Sequence, residues 1–257
     1  MNQKERRYYL INYLKSEYAE YAGLEIPDDE NEQKFLLRGL FNIRAANKID
    51  KDFLQIQDEY LSEELTQKGI TDYKELDPVS PGIYLWQGDI TTLRCDAIVN
   101  AANSGMLGCF CPNHGCIDNA VHTFAGVQLR LECAALMKEQ GYEEPVGRAK
   151  ITKAYNLPCR CVIHTVGPVI KGRLTGHDKS LLASCYRSCL ELAEENQVRS
   201  IAFCCISTGE FHFPGEEAAK IAIQTVKDYK QTTESGIEVI FNVFKDTDYA
   251  IYRRLLG

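Results

Sequence analysis

The spacing of apolar positions along the chain changes once, near residue 80. Before that point it is helical. Tyr9, Leu10, Tyr13 and Leu14 form one stripe, and Phe35, Leu36, Leu40 and Phe41 form another. The acidic run 28–32 after Pro27 suits the start of the second helix, and a third is predicted from Asp50 to Thr66. Pro78, Pro81 and Gly82 then break the chain. From residue 83 short apolar runs alternate with amphipathic stretches. Strands are predicted at Ile83–Trp86, Ala97–Asn100, Ala149–Tyr155, Val162–Val166, Ile201–Ile206 and Val239–Phe244, and helices over 117–139, 178–196, 215–232 and 246–256. The helix at 215–232 carries Ala219, Ala222, Ile223 and Val226 on one face. The near-continuous apolar run IAFCCI predicts a sheet covered on both sides. Residues 81–257 therefore read as a three-layer α/β/α domain, in which ligands favour the carboxyl ends of strands. Residues 1–80 read as a helical extension, too short to be expected to hold a core alone. No role for the extension is legible.

Composition narrows the classes. The 257 residues are 45% hydrophobic and 25% charged, which excludes disorder and low-complexity filaments. No apolar run reaches the roughly 18 residues of a membrane span, and the charged, aromatic start MNQKERRYYL lacks a signal-peptide core, so a cytoplasmic protein is expected. The net charge is −7, of which residues 1–80 carry −6, and no basic face for nucleic acid is apparent. The eleven cysteines are an odd number, and all lie after residue 94. In a reducing compartment they are core residues, metal ligands or nucleophiles.

Four segments at predicted strand ends carry the candidate chemistry. Gly88-Asp89-Ile90-Thr91 places an acid where it can bond a base amino group or a ribose, or simply cap a turn. Asn100 and Asn103 in VNAAN set two amides at i and i+3. The third segment, GCFCPNHGCID, holds Cys109, Cys111, His114 and Cys116 within eight residues, directly before a helix. Core packing explains Cys185 and Cys189, one helical turn apart; it does not explain a loop of thiols and an imidazole, a set that suits Zn²⁺. Three ligands would leave an open position and four would close the site, and all four side chains are in reach. The fourth segment, Ser207-Thr208-Gly209-Glu210-Phe211-His212-Phe213-Pro214, offers backbone amides before a helix, as a phosphate site does. A zinc deaminase fits poorly, because H-x-E and P-C-x-x-C are absent.

Taken in order, GDIT, VNAAN, the cysteine-rich loop, VIHTVGP and STGEFHFP resemble a macrodomain, the ADP-ribose-binding α/β/α fold with a central mixed sheet, over about residues 83–257. MacroD-type macrodomains have a run of glycines before V-D-G-C-I-H; here GCFCPNHGCIDNAVH stands instead, and resembles the zinc-containing, sirtuin-linked macrodomains, which also carry a helical N-terminal extension. The resemblance implies a hydrolase that removes ADP-ribose from mono-ADP-ribosylated protein, with Zn²⁺ as cofactor and a lipoyl carrier protein as one possible partner, since such genes lie beside a lipoyl carrier and a sirtuin-type ADP-ribosyltransferase. It implies no nucleic-acid or membrane partner.

By the same resemblance, Asp89 accepts a hydrogen bond from the adenine amino group, with the Ile90 amide beside it, and Phe244 stacks on adenine. Ser207, Thr208, Gly209, Glu210, Phe211 and His212 cradle the diphosphate through backbone amides, and Phe213 flanks the distal ribose. Asn103 and Asp118 are the catalytic pair, while Cys109, His114 and Cys116 are the metal ligands, without Cys111. An acid in a helix's first turn also has a purely structural use, stabilising the dipole by roughly 0.3–1 kcal/mol. The alternative function is a non-catalytic ADP-ribose reader with a closed, four-ligand structural zinc.

Overall fold

The computed structural model describes residues 1–257. The extension contains three helices, α1 (Gln3–Ser16), α2 (Glu30–Ile43) and α3 (Lys51–Lys68). Each starts on a side-chain cap: Asn2 in a capping box with Glu5, Asp29 accepting from the Asn31 and Glu32 amides, and Asp50 accepting from the Phe53 amide. Leu10, Ile11, Leu14, Leu37, Leu40, Phe53 and Leu61 are buried between them, joined by Val127 from the rest of the chain. Phe35, expected on the buried stripe of α2, is instead 63% exposed. The buried line runs Gln33, Leu37, Leu40 and Phe41, and two residues of helix turn Phe35 about 200° away from Leu37.

The remaining chain forms a seven-stranded sheet in the order β2 (Pro78–Ser80), β3 (Ile83–Gln87), β9 (Glu238–Val243), β8 (Ser200–Phe203), β5 (Ala97–Ala102), β7 (Cys161–Val166) and β6 (Ala149–Lys153). The inner five strands are parallel, and the edge strands β2 and β6 are antiparallel to their neighbours. The sheet thus begins at Pro78, inside the segment expected to be purely helical. A second small ladder, β1 (Thr71–Asp72) with β4 (Leu93–Arg94), also ties residues before 80 to the sheet domain. The helices are α4 (Ile117–Ala125), α5 (Val127–Gln140), α6 (Gly176–Glu195), α7 (Gly215–Thr233) and α8 (Asp246–Leu256). α6, α7 and α8 pack side by side, whereas α4 packs on β5, α5 and α2. Every residue of β7 and β8 is buried, as a sheet covered on both faces requires.

The helix expected over 117–139 is two helices. Gly126 breaks it with φ +93°, a conformation that L side chains rarely adopt, and a Cβ there would meet Gln57 and Gln128 side chains at 2.6 Å. The strand expected to reach Ile206 stops at Phe203, which releases residues 204–213 as a loop. The second departure lies at the carboxyl edge of the sheet. No helix is long and apolar enough to cross a membrane.

Candidate functional site

A cleft of about 940 Å³ opens at the carboxyl ends of β3, β5, β8 and β9. Three of the four sequence-predicted loops reach it with side chains of the expected kind, and the fourth lines it mainly with main chain.

At one end stands the loop before α4. The donor atoms of Cys109, His114 and Cys116 lie within 4.8 Å of one another, with Cys109 Sγ 3.6 Å from His114 Nδ1. Cys116 is also the N-cap of α4, its sulfur accepting from the Asn119 amide at 3.4 Å. Burial pushes its thiol up to about 12, so the thiolate needs a neighbouring cation, as a bound metal supplies. Cys111 is exposed and outside the trio. Two thiols and one imidazole are a donor set for zinc with one coordination position left over. The other eight cysteines are all unpaired thiols, six of them buried.

Asp118 sits in the first turn of α4 beneath this loop, only 4% exposed. Its Oδ1 accepts from Asn100 Nδ2 at 2.8 Å and its Oδ2 from Asn103 Nδ2 at 3.3 Å. Burial raises its carboxyl to about 6, against the opposing pull of the Asn100 hydrogen bond and the Arg130 charge. A dipole-capping acid does not need this shell, so the side chain is held for more than the helix start. Asn100 Nδ2 also meets His164 Nδ1 at 3.1 Å, and His164 Nε2 lies 2.9 Å from Thr152 Oγ1. With Nδ1 as acceptor the ring carries its proton on Nε2 and is neutral; burial lowers its pKa to about 3. Asn100 was legible only as a strand-end amide, and its place under Asp118 is a long-range fact of the sheet.

The opposite wall is built from backbone. In the loop after β8, the amides of Ser207, Gly209, Glu210 and Phe211 donate to no protein acceptor, whereas those of Thr208, His212 and Phe213 close turns on Cys205, Gly209 and Ser207. Ser207 is buried and its hydroxyl oxygen has no partner. Four free N–H groups and an unsatisfied hydroxyl fit a diphosphate. Phe213, expected beside the distal ribose, is instead 2% exposed and packed in the main core. Its amide is tied back to Ser207, which turns the ring inward, and Phe211 lines the cleft in its place. His212, expected in the phosphate cradle, is exposed and outside the cleft lining, because the turn bond from its amide to Gly209 carries it past the rim.

At the far end, Asp89 caps the 3-10 turn Ile90–Thr92, one carboxylate oxygen accepting from the Thr91 amide and hydroxyl at 3.0 and 2.6 Å. The other oxygen faces Lys68 Nζ at 3.5 Å. Asp89 is thus a turn cap whose second oxygen meets Lys68, and the residue lines the cleft. Phe244 follows β9, lines the cleft and is 74% exposed, a ring face open to stacking. Lys68 and Arg38, also in the lining, come from the extension. No motif announced them. The one available signal was Gly39, a glycine in a helix interior without a local reason to be there.

The Macro domain family matches residues 99–222. Over its whole length the chain is 58% identical to a protein-ADP-ribose hydrolase of Treponema medium, which it covers fully. It is 49% identical to a protein-ADP-ribose hydrolase of Staphylococcus aureus (strain MRSA252), over 98% of this chain and 95% of that one. Among solved structures, the Trypanosoma brucei macrodomain in complex with ADP-ribose superposes with a TM-score of 0.66 at 31% identity, over 85% of this chain and 95% of that one. With the mixed sheet, the cleft at its carboxyl edge and relatives matched from end to end, the chain belongs to the macrodomain family.

Proposed function

We propose that the protein is a zinc-dependent hydrolase that releases ADP-ribose from mono-ADP-ribosylated protein side chains. The observation that carries this reading is the convergence of Cys109, His114 and Cys116 directly above the Asn103–Asp118 pair, at one end of a cleft whose other walls suit ADP-ribose. The full-length relatives named protein-ADP-ribose hydrolase support the activity class.

In this reading Asp89 and the Ile90 amide bind the adenine edge and Phe244 stacks on its face. The free amides of Ser207, Gly209, Glu210 and Phe211 take the diphosphate, which leaves the distal ribose against Asn103 and Asp118. Cys109, His114 and Cys116 would hold the zinc, which would supply Lewis acidity toward a distal-ribose hydroxyl or water. Cleavage at C1″ develops oxocarbenium character. Asp118, ionised at neutral pH yet more basic than an exposed carboxylate, is suited to stabilise that positive charge or to take the proton of the attacking water. Asn103 holds one Asp118 oxygen and the Gly108 carbonyl, and so fixes the carboxylate against the loop.

The test is release of ADP-ribose from a mono-ADP-ribosylated carrier protein, with a lipoyl carrier as first substrate, before and after zinc is stripped with a chelator. Release that stops on stripping and returns with zinc is the expected result. Undiminished release from the stripped protein overturns the metal's part. Tight ADP-ribose binding with no release at all points instead to a reader, which requires Cys111, now exposed, to swing in as a fourth ligand.

A further inference from the structure

Residues 103–116 contain no helix or strand, yet a metal trio must converge from within them to a fraction of an ångström. Cys116 is fixed because it begins α4. His114 has no such support. Within its own loop its backbone makes one hydrogen bond, from its amide to the Cys111 carbonyl at 3.3 Å. Two further restraints, on His114 and on Asn113 beside it, come from helix α2, more than seventy residues earlier.

Arg38 Nη2 donates to the His114 carbonyl at 3.1 Å. The same guanidinium donates to Asn119 Oδ1 through Nε at 3.2 Å and Nη2 at 2.9 Å. Asn119 in turn donates from Nδ2 to the Cys111 carbonyl at 3.0 Å and from its backbone amide to Cys116 Sγ. One turn further along α2, the Asn42 side chain accepts from the Asn113 amide at 2.8 Å and donates to Thr123 Oγ1 at 2.9 Å. Asn42 is 1% exposed. Gly39 lies between the two, and a Cβ there would approach Asn113 Nδ2 to 3.1 Å, so the helix surface is pressed against the loop. Buried Arg130 holds the Leu107 carbonyl together with the carbonyls of Phe41 in α2 and of its C-cap Arg44, with the Phe110 ring 4.4 Å from its guanidinium.

We infer that α2 of the N-terminal extension is the template of the metal loop: Arg38 and Asn42 are positioning residues that hold the backbone of Asn113 and His114 so that the His114 ring meets Cys109 and Cys116. A planar guanidinium spanning two acceptors sets a distance and an angle at once, which a lysine does not. Residues outside the ligand set that orient ligands typically contribute 10–100-fold in metal affinity. The extension is then part of the catalytic apparatus and not an appendage. The inference rests on the zinc reading of the loop, and its test separates the two.

In the full-length protein, zinc affinity is measured by competition with a chromophoric chelator for wild type, Arg38→Ala, Arg38→Lys and Asn42→Ala, with thermal melts as a control on folding. Arg38→Ala is expected to raise the zinc Kd on the order of tenfold or more, with Arg38→Lys in between and Asn42→Ala shifted in the same direction. Hydrolysis by Asn42→Ala, whose side chain is buried and outside the cleft lining, is expected to return to within a few-fold of wild type at saturating zinc. ADP-ribose affinity of zinc-free Asn42→Ala should stay at the wild-type value, since Asn42 does not line the cleft. Wild type that binds zinc, together with folded variants that bind it equally tightly, overturns the template and leaves the metal reading standing. Wild type that takes up no zinc overturns the metal reading and this inference with it. If Arg38→Ala does not fold, the decision passes to Asn42→Ala and Arg38→Lys under the same criteria.

Discussion

The two ends of the cleft solve recognition in different ways. At the Asp118 end the working atoms belong to side chains, Cys109, His114, Cys116, Asp118 and Asn103, and each is held by another side chain or a helix cap. At the diphosphate wall the working atoms are backbone amides of residues 207–211, and what holds them is the path of the main chain. In the proposed function the first end carries the chemistry on one substrate bond, since only side chains bring titratable or metal-binding groups. The second is built for binding, since fixed N–H dipoles neutralise a dianion without a proton inventory of their own. A single substitution can therefore empty the first end, while the second yields only in part to any one side chain.

Cys116→Ala breaks this comparison most severely. It removes a proposed zinc ligand and the N-cap of α4 together, so zinc content is expected to fall to background and hydrolysis with it. ADP-ribose affinity should move by only a few-fold, because the amides at 207–211 are untouched. Metal analysis and isothermal titration on the same sample check both statements. Asp118→Asn comes next. It keeps the shape and removes the charge, and hydrolysis should drop by roughly 10²–10⁴, the usual worth of a positioned acid or base, with zinc content and ADP-ribose affinity near wild type. A loss of zinc in Asp118→Asn would mean that the carboxylate acts on the metal loop and not on the substrate.

The difference between the two ends also governs how much of the site could be read from the order of residues. Cys109, Cys111, His114 and Cys116 announce themselves because thiols and an imidazole are costly in a loop that has only structure to maintain, whereas Asp118, an acid in a helix's first turn, is singled out by the resemblance alone. The alternation of strands and helices after residue 83 was legible for the same reason: apolar spacing records which face is covered. The paths of main chain left weaker marks. Phe213 and Phe211 are both aromatic and two residues apart, and nothing local says which faces the cleft; the bond from the Phe213 amide to Ser207 decides it. The break at Gly126 hides inside a continuous amphipathic pattern, because a helix turn and a helix restart bury similar residues. Arg38, Asn42 and Lys68 were invisible for a further reason. Their partners lie between 21 and 81 residues away, and an arginine on an exposed helix face looks like solubility until the fold brings a loop to it.

Asp89→Ala probes the binding end. One carboxylate oxygen is held by Thr91, so the variant loses a turn cap along with the proposed adenine contact. A hydrogen bond to a charged group contributes about 1.5–3 kcal/mol, which corresponds to an ADP-ribose Kd raised by roughly 10–150-fold. Zinc content should be unchanged. Equal zinc loss in Asp89→Ala and Cys116→Ala would show that the ends of the cleft are not separable.

The smallest expected effect lies at the one side chain that touches both. Glu210 belongs to the loop of free amides, yet its Oε1 lies 3.5 Å from His114 Nε2 across the cleft. A carboxylate on the far nitrogen of a ligating imidazole fixes its tautomer, leaving Nδ1, the atom facing Cys109, for the metal. Against a large contribution stand the distance and the 67% exposure of the Glu210 side chain, since such surface pairs contribute about 0–1 kcal/mol. Glu210→Gln is therefore expected to raise the zinc Kd by no more than about fivefold, and to leave ADP-ribose binding to the zinc-free protein unchanged, because the Glu210 amide remains. The informative measurement is zinc affinity with and without saturating ADP-ribose. If a ligand on the amides moves residues 207–211, the wild-type zinc Kd changes with ADP-ribose present and the Glu210→Gln value does not. A zinc Kd that ADP-ribose leaves unchanged in both proteins would make the ends of the cleft energetically independent, while equal shifts in both would route the coupling past Glu210.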